Sequence, residues 1–121
     1  MADRDFILKH LEDMMRHDDV LACMLAKKGL DGLIPNHVKI KDVQLWELLK
    51  DSTDKMFPII EKFFDYGLDR LVFELGDYNV VLVPLNQEIS LLVVMNSLAN
   101  FGLMDVEIEN TKLKLIKELK S

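Results

Sequence analysis

Residues 80–103 read VVLVPLNQEISLLVVMNSLANFGL, and the fold turns on how this stretch is interpreted. It holds two apolar runs, Val80–Leu85 and Ile89–Met95, separated only by Asn86-Gln87-Glu88. Each run has the length of a strand, and so short a polar connection forces antiparallel neighbours. An antiparallel sheet usually wets one face and therefore alternates apolar with polar residues. These two runs do not alternate, so helices are expected over both faces of the sheet.

Upstream, Leu68–Leu75 does alternate, with Leu71, Phe73 and Leu75 on one face and Arg70, Val72 and Glu74 on the other. Gly76-Asp77-Tyr78-Asn79 then reads as a turn. Nearer the N-terminus, Val20–Ala26 (VLACMLA) is a further strand apolar on both faces. Lys27–Gly32 supplies hairpin chemistry, and Leu33–Ile40 is the expected returning strand. Pro35 cannot donate to a ladder, which puts that strand at a sheet edge.

Three helices complete the set. Residues 3–16 carry Ile7, Leu11, Met14 and Met15 on one face behind Asp3 as N-cap. Residues 42–66 place Leu45, Trp46, Leu48, Leu49, Ser52, Thr53, Met56, Phe57, Ile59, Ile60, Phe63 and Phe64 in one arc of about 180°, with the charges and Pro58 opposite. A helix lying on one sheet needs an apolar stripe of only about 100°, so this one is expected to bury against a second surface. Gly67 closes it. Asn100 caps a last helix running through residue 120, with Leu103, Val106, Ile108, Leu113, Ile116 and Leu119 as apolar candidates. The order α-β-β-α-β-β-β-α makes an α+β fold, one antiparallel sheet between helical layers.

With 121 residues, the chain is expected to form one domain (1–121) with a core of its own. Its net charge of −6 argues against a nucleic-acid or anionic-membrane partner. A single cysteine, Cys23, makes no intrachain disulfide, and no apolar run reaches membrane-spanning length or resembles a secretory leader. The expected setting is cytoplasmic, without membrane insertion.

The order of elements, together with Asn96-Ser97-Leu98-Ala99-Asn100-Phe101-Gly102-Leu103 after the last strand, resembles the Roadblock / dynein light-chain family with its MglB-like members. That family's last strand typically ends in Asp or Asn and leads through small residues to Asn-Leu-Gly-Leu; Phe101 here replaces the Leu. Asn96, Asn100 and Gly102 carry the match, Gly102 read as letting the helix start pack close to the sheet. The resemblance implies five antiparallel strands in the order 2-1-5-4-3, the long helix on one face and both terminal helices on the other. It further implies a homodimer in which long helices pair and third strands meet edge to edge. Trp46, Leu49, Ser52, Thr53, Met56, Ile60 and Phe63, with Leu71 and Phe73 near the edge, are the interface residues this suggests.

Catalytic chemistry finds little footing. His10, His17 and His37 lack metal-ligand spacing, so no metal is expected. Cys23 sits inside an apolar strand, the serines lack a nucleophile-elbow pattern, and Gly29-Leu30-Asp31-Gly32 is no phosphate loop. The expectation is a protein with no cofactor and no catalytic residues. By resemblance it is a homodimeric scaffold or regulator that binds a small Ras-like GTPase and modulates its nucleotide cycle. An arginine finger would have to be Arg4, Arg16 or Arg70; remodelling of the GTPase's own switch segments is the alternative. The rival readings are a light-chain-type subunit of a motor or membrane-tethered complex, and a PAS- or profilin-like sensor using Ser52, Thr53, Ser90 and Cys23.

Overall fold

The computed structural model describes residues 4–120, and Asp3, the expected first N-cap, lies outside them. Helix α1 (Arg4–Met15) leads into the hairpin β1 (Val20–Lys27) and β2 (Leu30–Leu33). Helix α2 (Val43–Phe63) follows, extended by a 3-10 turn (Phe64–Tyr66). Then come β3 (Leu71–Leu75), β4 (Tyr78–Pro84), β5 (Ile89–Asn96) and α3 (Phe101–Lys120). The five strands form one antiparallel sheet in the order β2-β1-β5-β4-β3, as the resemblance implies.

Both faces of the central strands are covered, which accounts for their lack of alternation. Cys23, Leu25, Val81, Val83, Leu91, Val93 and Met95 meet Ile7, Leu11, Met14 and Met15 of α1 and Met104, Ile108 and Leu115 of α3. On the opposite face Ala22, Met24, Ala26, Val80, Leu82, Leu92 and Val94 meet Trp46, Leu49, Phe57 and Ile60 of α2. The two helices on the first face run antiparallel: His17, just past the end of α1, lies 3.2 Å from Glu107 in the second turn of α3, and His10, midway along α1, lies 3.9 Å from Glu118 in its last turn. At the start of α2 the Asp42 carboxylate accepts a hydrogen bond from Leu45 N at 3.0 Å. Gly67, at φ +85°, ends the 3-10 turn.

Three expectations are corrected. The second strand is not Leu33–Ile40 but Leu30–Leu33: Lys27 pairs with Leu30, so the turn is only Lys28-Gly29. Pro35, which has no N–H to give, already lies beyond it, and His37 takes φ +64° in the irregular link to α2. Gly32 therefore lies within the strand, where a Cβ would come within 3.0 Å of the Leu25 carbonyl oxygen. The turn at residues 76–79 is likewise shorter. Leu75 pairs with Tyr78, leaving only Gly76-Asp77 to turn, with Gly76 at φ +60°. Finally, α3 buries Met104, Ile108, Thr111 and Leu115. Of its expected apolar set only Ile108 is fully buried; Ile116 and Leu119 are partly covered, while Leu103, Val106 and Leu113 face solvent. Apolar residues occur around much of this helix, and Thr111 interrupts the buried stripe, so the periodicity points the wrong way.

Candidate interaction surface

The wide apolar arc of α2 divides into two stripes. Trp46, Leu49, Thr53, Phe57 and Ile60 form the inward one and are buried against the sheet. Thr53 is accommodated there because its hydroxyl donates back to the Leu49 carbonyl at 2.7 Å. At about 100° per residue, Leu45, Leu48, Ser52, Met56, Ile59 and Phe63 make a second stripe about 80° wide beside the first. Leu48, Ile59 and Phe63 are 60%, 45% and 50% exposed, high values for side chains of this kind.

The direction of the second stripe follows from what holds the other flank. There, Lys28 forms an ion pair with Glu61, and Gly29 N donates to Asp54 Oδ1 at 3.0 Å. The β1–β2 hairpin is thus strapped to the polar side of α2, and the second stripe opens toward the β4–β3 side. β3 is the free edge on that side, and its Leu71 and Phe73 pack half-buried under α2.

The expected interface set is accordingly split. Trp46, Leu49, Thr53 and Ile60 are occupied within the single chain, whereas Ser52, Met56 and Phe63 lie on the outer stripe and Leu71 and Phe73 beside it. Leu45, Leu48 and Ile59 belong to this surface and were missing from the set. For Leu48 and Ile59, their position at the end of the arc farthest from Phe57 is the signal that would have found them.

This backbone matches that of Myxococcus xanthus MglB with a TM-score of 0.75, covering 99% of this chain and 92% of that one at 12% identity. It matches MglC from the same organism at 0.67, with 93% and 98% covered and 14% identity. A Roadblock/LC7 domain from Streptomyces avermitilis gives 0.67, with 97% and 98% covered and 14% identity. The chain has the Roadblock/LC7 fold. No family model matches it, and no curated protein does; the likeness is one of structure.

In this Roadblock/LC7 fold the Asn96–Gly102 segment is a hydrogen-bonded joint. Asn96 donates its backbone N–H to the Asp19 carbonyl at 3.1 Å and its side-chain amide to Asp19 Oδ1 at 3.3 Å. Asn96 Oδ1 accepts from Leu98 N at 2.9 Å. Asn100 N donates to Asp19 Oδ2 at 3.3 Å, and Asn100 Oδ1 caps α3 by accepting from Leu103 N at 3.0 Å. The role expected of Gly102 is not borne out. Gly102 is exposed, and a Cβ on it would meet only Asn100 Oδ1, at an ordinary 3.5 Å, so no close approach to the sheet depends on it.

The remaining chemical groups are placed as follows. Arg70 lies among Asp69, Asp105 and Glu109 at 3.0, 3.0 and 3.7 Å, with Lys112 also on Asp69 at 3.3 Å. The hydrogen bond from Arg70 is the main reason the Asp69 carboxyl titrates below its usual range. Arg4 and Arg16 are exposed, Arg16 paired with Asp13 at 3.4 Å. Burial pushes the Cys23 thiol up to about 12, and its Sγ donates weakly to the Leu11 carbonyl at 3.4 Å. Ser52 is half-buried on the outer stripe. Ser90 Oγ is buried and has no hydrogen-bond partner among the described residues. No described helix is long and apolar enough to cross a membrane.

Proposed function

We propose that two copies of this chain pair through the outer stripe of α2 and the free edge of β3, and that the dimer binds and regulates a small Ras-like GTPase. The observation that carries the dimer is the coincidence, on one flank, of a second apolar stripe and the free edge of a strand. Exposed apolar surface and a flat sheet edge are both liabilities in a monomer, and a two-fold axis between them removes both. The GTPase is what the resemblance of residues 96–103 and of the element order implies, and the shared fold supports it.

The chain acts on the nucleotide cycle without catalytic residues of its own. Arg70 is held by three carboxylates, so delivering it to a nucleotide would break an ion-pair network. Remodelling of the partner's switch segments, by preferential binding of one nucleotide state, is therefore the favoured mechanism over an arginine finger.

Light scattering after gel filtration tests the first half: a mass of two chains is expected, and a monomer at tens of micromolar would defeat the proposal. Affinity capture from the source cell's lysate, in parallel with a GTP analogue and with GDP, tests the second. A small GTPase retained mainly with the analogue is expected. Capture of large-complex subunits regardless of nucleotide would favour the structural light-chain role. Replacing Arg4, Arg16 and Arg70 by lysine should leave any stimulation of hydrolysis intact; its loss with binding retained would restore the arginine finger.

A further inference from the structure

At the sheet edge opposite β3, α2 does not reach across to β2, and a groove of about 710 Å³ lies between them. Met24, Ala26 and Phe57 form its floor. It exists because Gly32 puts no side chain into it: a Cβ there would sit 3.3 Å from the Met24 methyl. One end is closed by the strapped tip of the hairpin, through Lys28–Glu61 and Gly29–Asp54. Leu30, beside that tip, and Ile34, just past the far end of β2, are 64% and 36% exposed, two apolar side chains with nothing over them among the described residues.

The polar lining is biased toward one sign. Glu47, Asp51 and Asp54 line the α2 wall at intervals of four and three residues, one helical face, and Asp31 stands on the β2 side. Against these four carboxylates are two lysines, Lys27 and Lys50. The Lys50 ammonium is already engaged by Glu47 at 2.8 Å and lies 5.5 Å from the Trp46 ring centre. Asp31 makes no ion pair among the described residues, and Asp51 is bound only to an exposed Lys55 at 3.3 Å.

We propose that this groove is a docking site for a short extended segment of a partner protein, carrying apolar side chains to cover Leu30 and Ile34 and lysine or arginine side chains for Asp31, Asp51 and Asp54. The groove's volume is within the range of ordinary ligand pockets, and the net charge of −6 favours approach of a basic partner. The groove lies at the far edge from the proposed dimer surface. It is therefore open in every copy whether or not the chain dimerises, and its occupancy does not depend on the GTPase reading.

The test uses the full chain, isotopically labelled, with two defined probes: the blocked pentapeptide Arg-Leu-Arg-Leu-Arg and its counterpart Glu-Leu-Glu-Leu-Glu. Saturable movement of the amide signals of Gly29, Leu30, Gly32 and Asp54 is expected with the basic peptide alone. Asp31→Asn with Asp51→Asn, both at exposed positions, should weaken it about five- to tenfold. Movement scattered over acidic residues outside the groove, equal response to the acidic peptide, no saturable response, or an unaffected double variant would each overturn the proposal.

Discussion

Asn100 shows how much one side chain can organise: its carbonyl oxygen starts α3 while its backbone N–H reaches Asp19 at the start of β1. Asn100→Ala is expected to cost about 1 kcal/mol, as lost caps do, read as a lower denaturant midpoint with an unchanged slope. Gly102→Ala should instead be neutral or stabilising by up to about 1 kcal/mol, because the added methyl meets only ordinary contact in a helical turn. The Asn100 cap was legible from the motif. The room around Gly102 was not, since a glycine in a sequence does not say whether its reason is space or turn geometry. Cys23 gives a pH signature. Its folded thiol, pushed up to about 12, binds its proton more tightly than a thiol at the ordinary 9.0. The associated stability is fully present below pH 9.0 and is lost as the pH rises toward 12. The stability difference between wild type and Cys23→Ala should accordingly shrink between pH 8 and pH 11 in denaturant titrations, and iodoacetamide should label Cys23 only after unfolding.

Among the elements, α2 was the most informative in sequence and still the one most incompletely read. Its half-turn arc announced a second surface, but periodicity cannot tell which part of an arc touches its own sheet. Only the placement of Glu61 and Asp54 against the hairpin orients the helix and so identifies Leu48 and Ile59. Ile59→Asp is expected to leave the chain folded, because the site is 45% exposed, and to convert the proposed dimer into a monomer by light scattering. Met56→Asp should dissociate it too, with some loss of stability because Met56 is partly covered. A folded dimer from either variant would remove α2 from the interface. For β2, Pro35 signalled an edge correctly, yet the strand ends before it; a two-residue turn moved the whole strand toward the N-terminus. Gly32→Ala should cost about 1–3 kcal/mol by forcing its methyl against the Leu25 carbonyl, measured by thermal or chemical unfolding. In α3 the buried stripe runs through Thr111, and a rule that seeks only apolar residues passes over it.

For the molecule as a whole, strand number followed from five separate segments, and cover on both faces from the three non-alternating runs Val20–Ala26, Val80–Leu85 and Ile89–Met95. The spatial order of strands did not; it came with the resemblance, because no local pattern tells β1 that its neighbour is β5. That pairing is the most consequential in the fold. Lys27 stands opposite Ile89 and Val20 opposite Met95, so the middle of the sheet joins segments more than sixty residues apart. The hairpin β1–β2 and the meander β3–β4–β5 are each local and quick to form, while the seam between them must await closure of a long loop. On a ribosome, the run VLACMLA therefore emerges with one side unpaired and stays so throughout synthesis of α2, β3 and β4. This nascent chain carries its stickiest strand first and its mate last, and slowed elongation between residues 30 and 89 should raise its demand for chaperones more than slowing anywhere else.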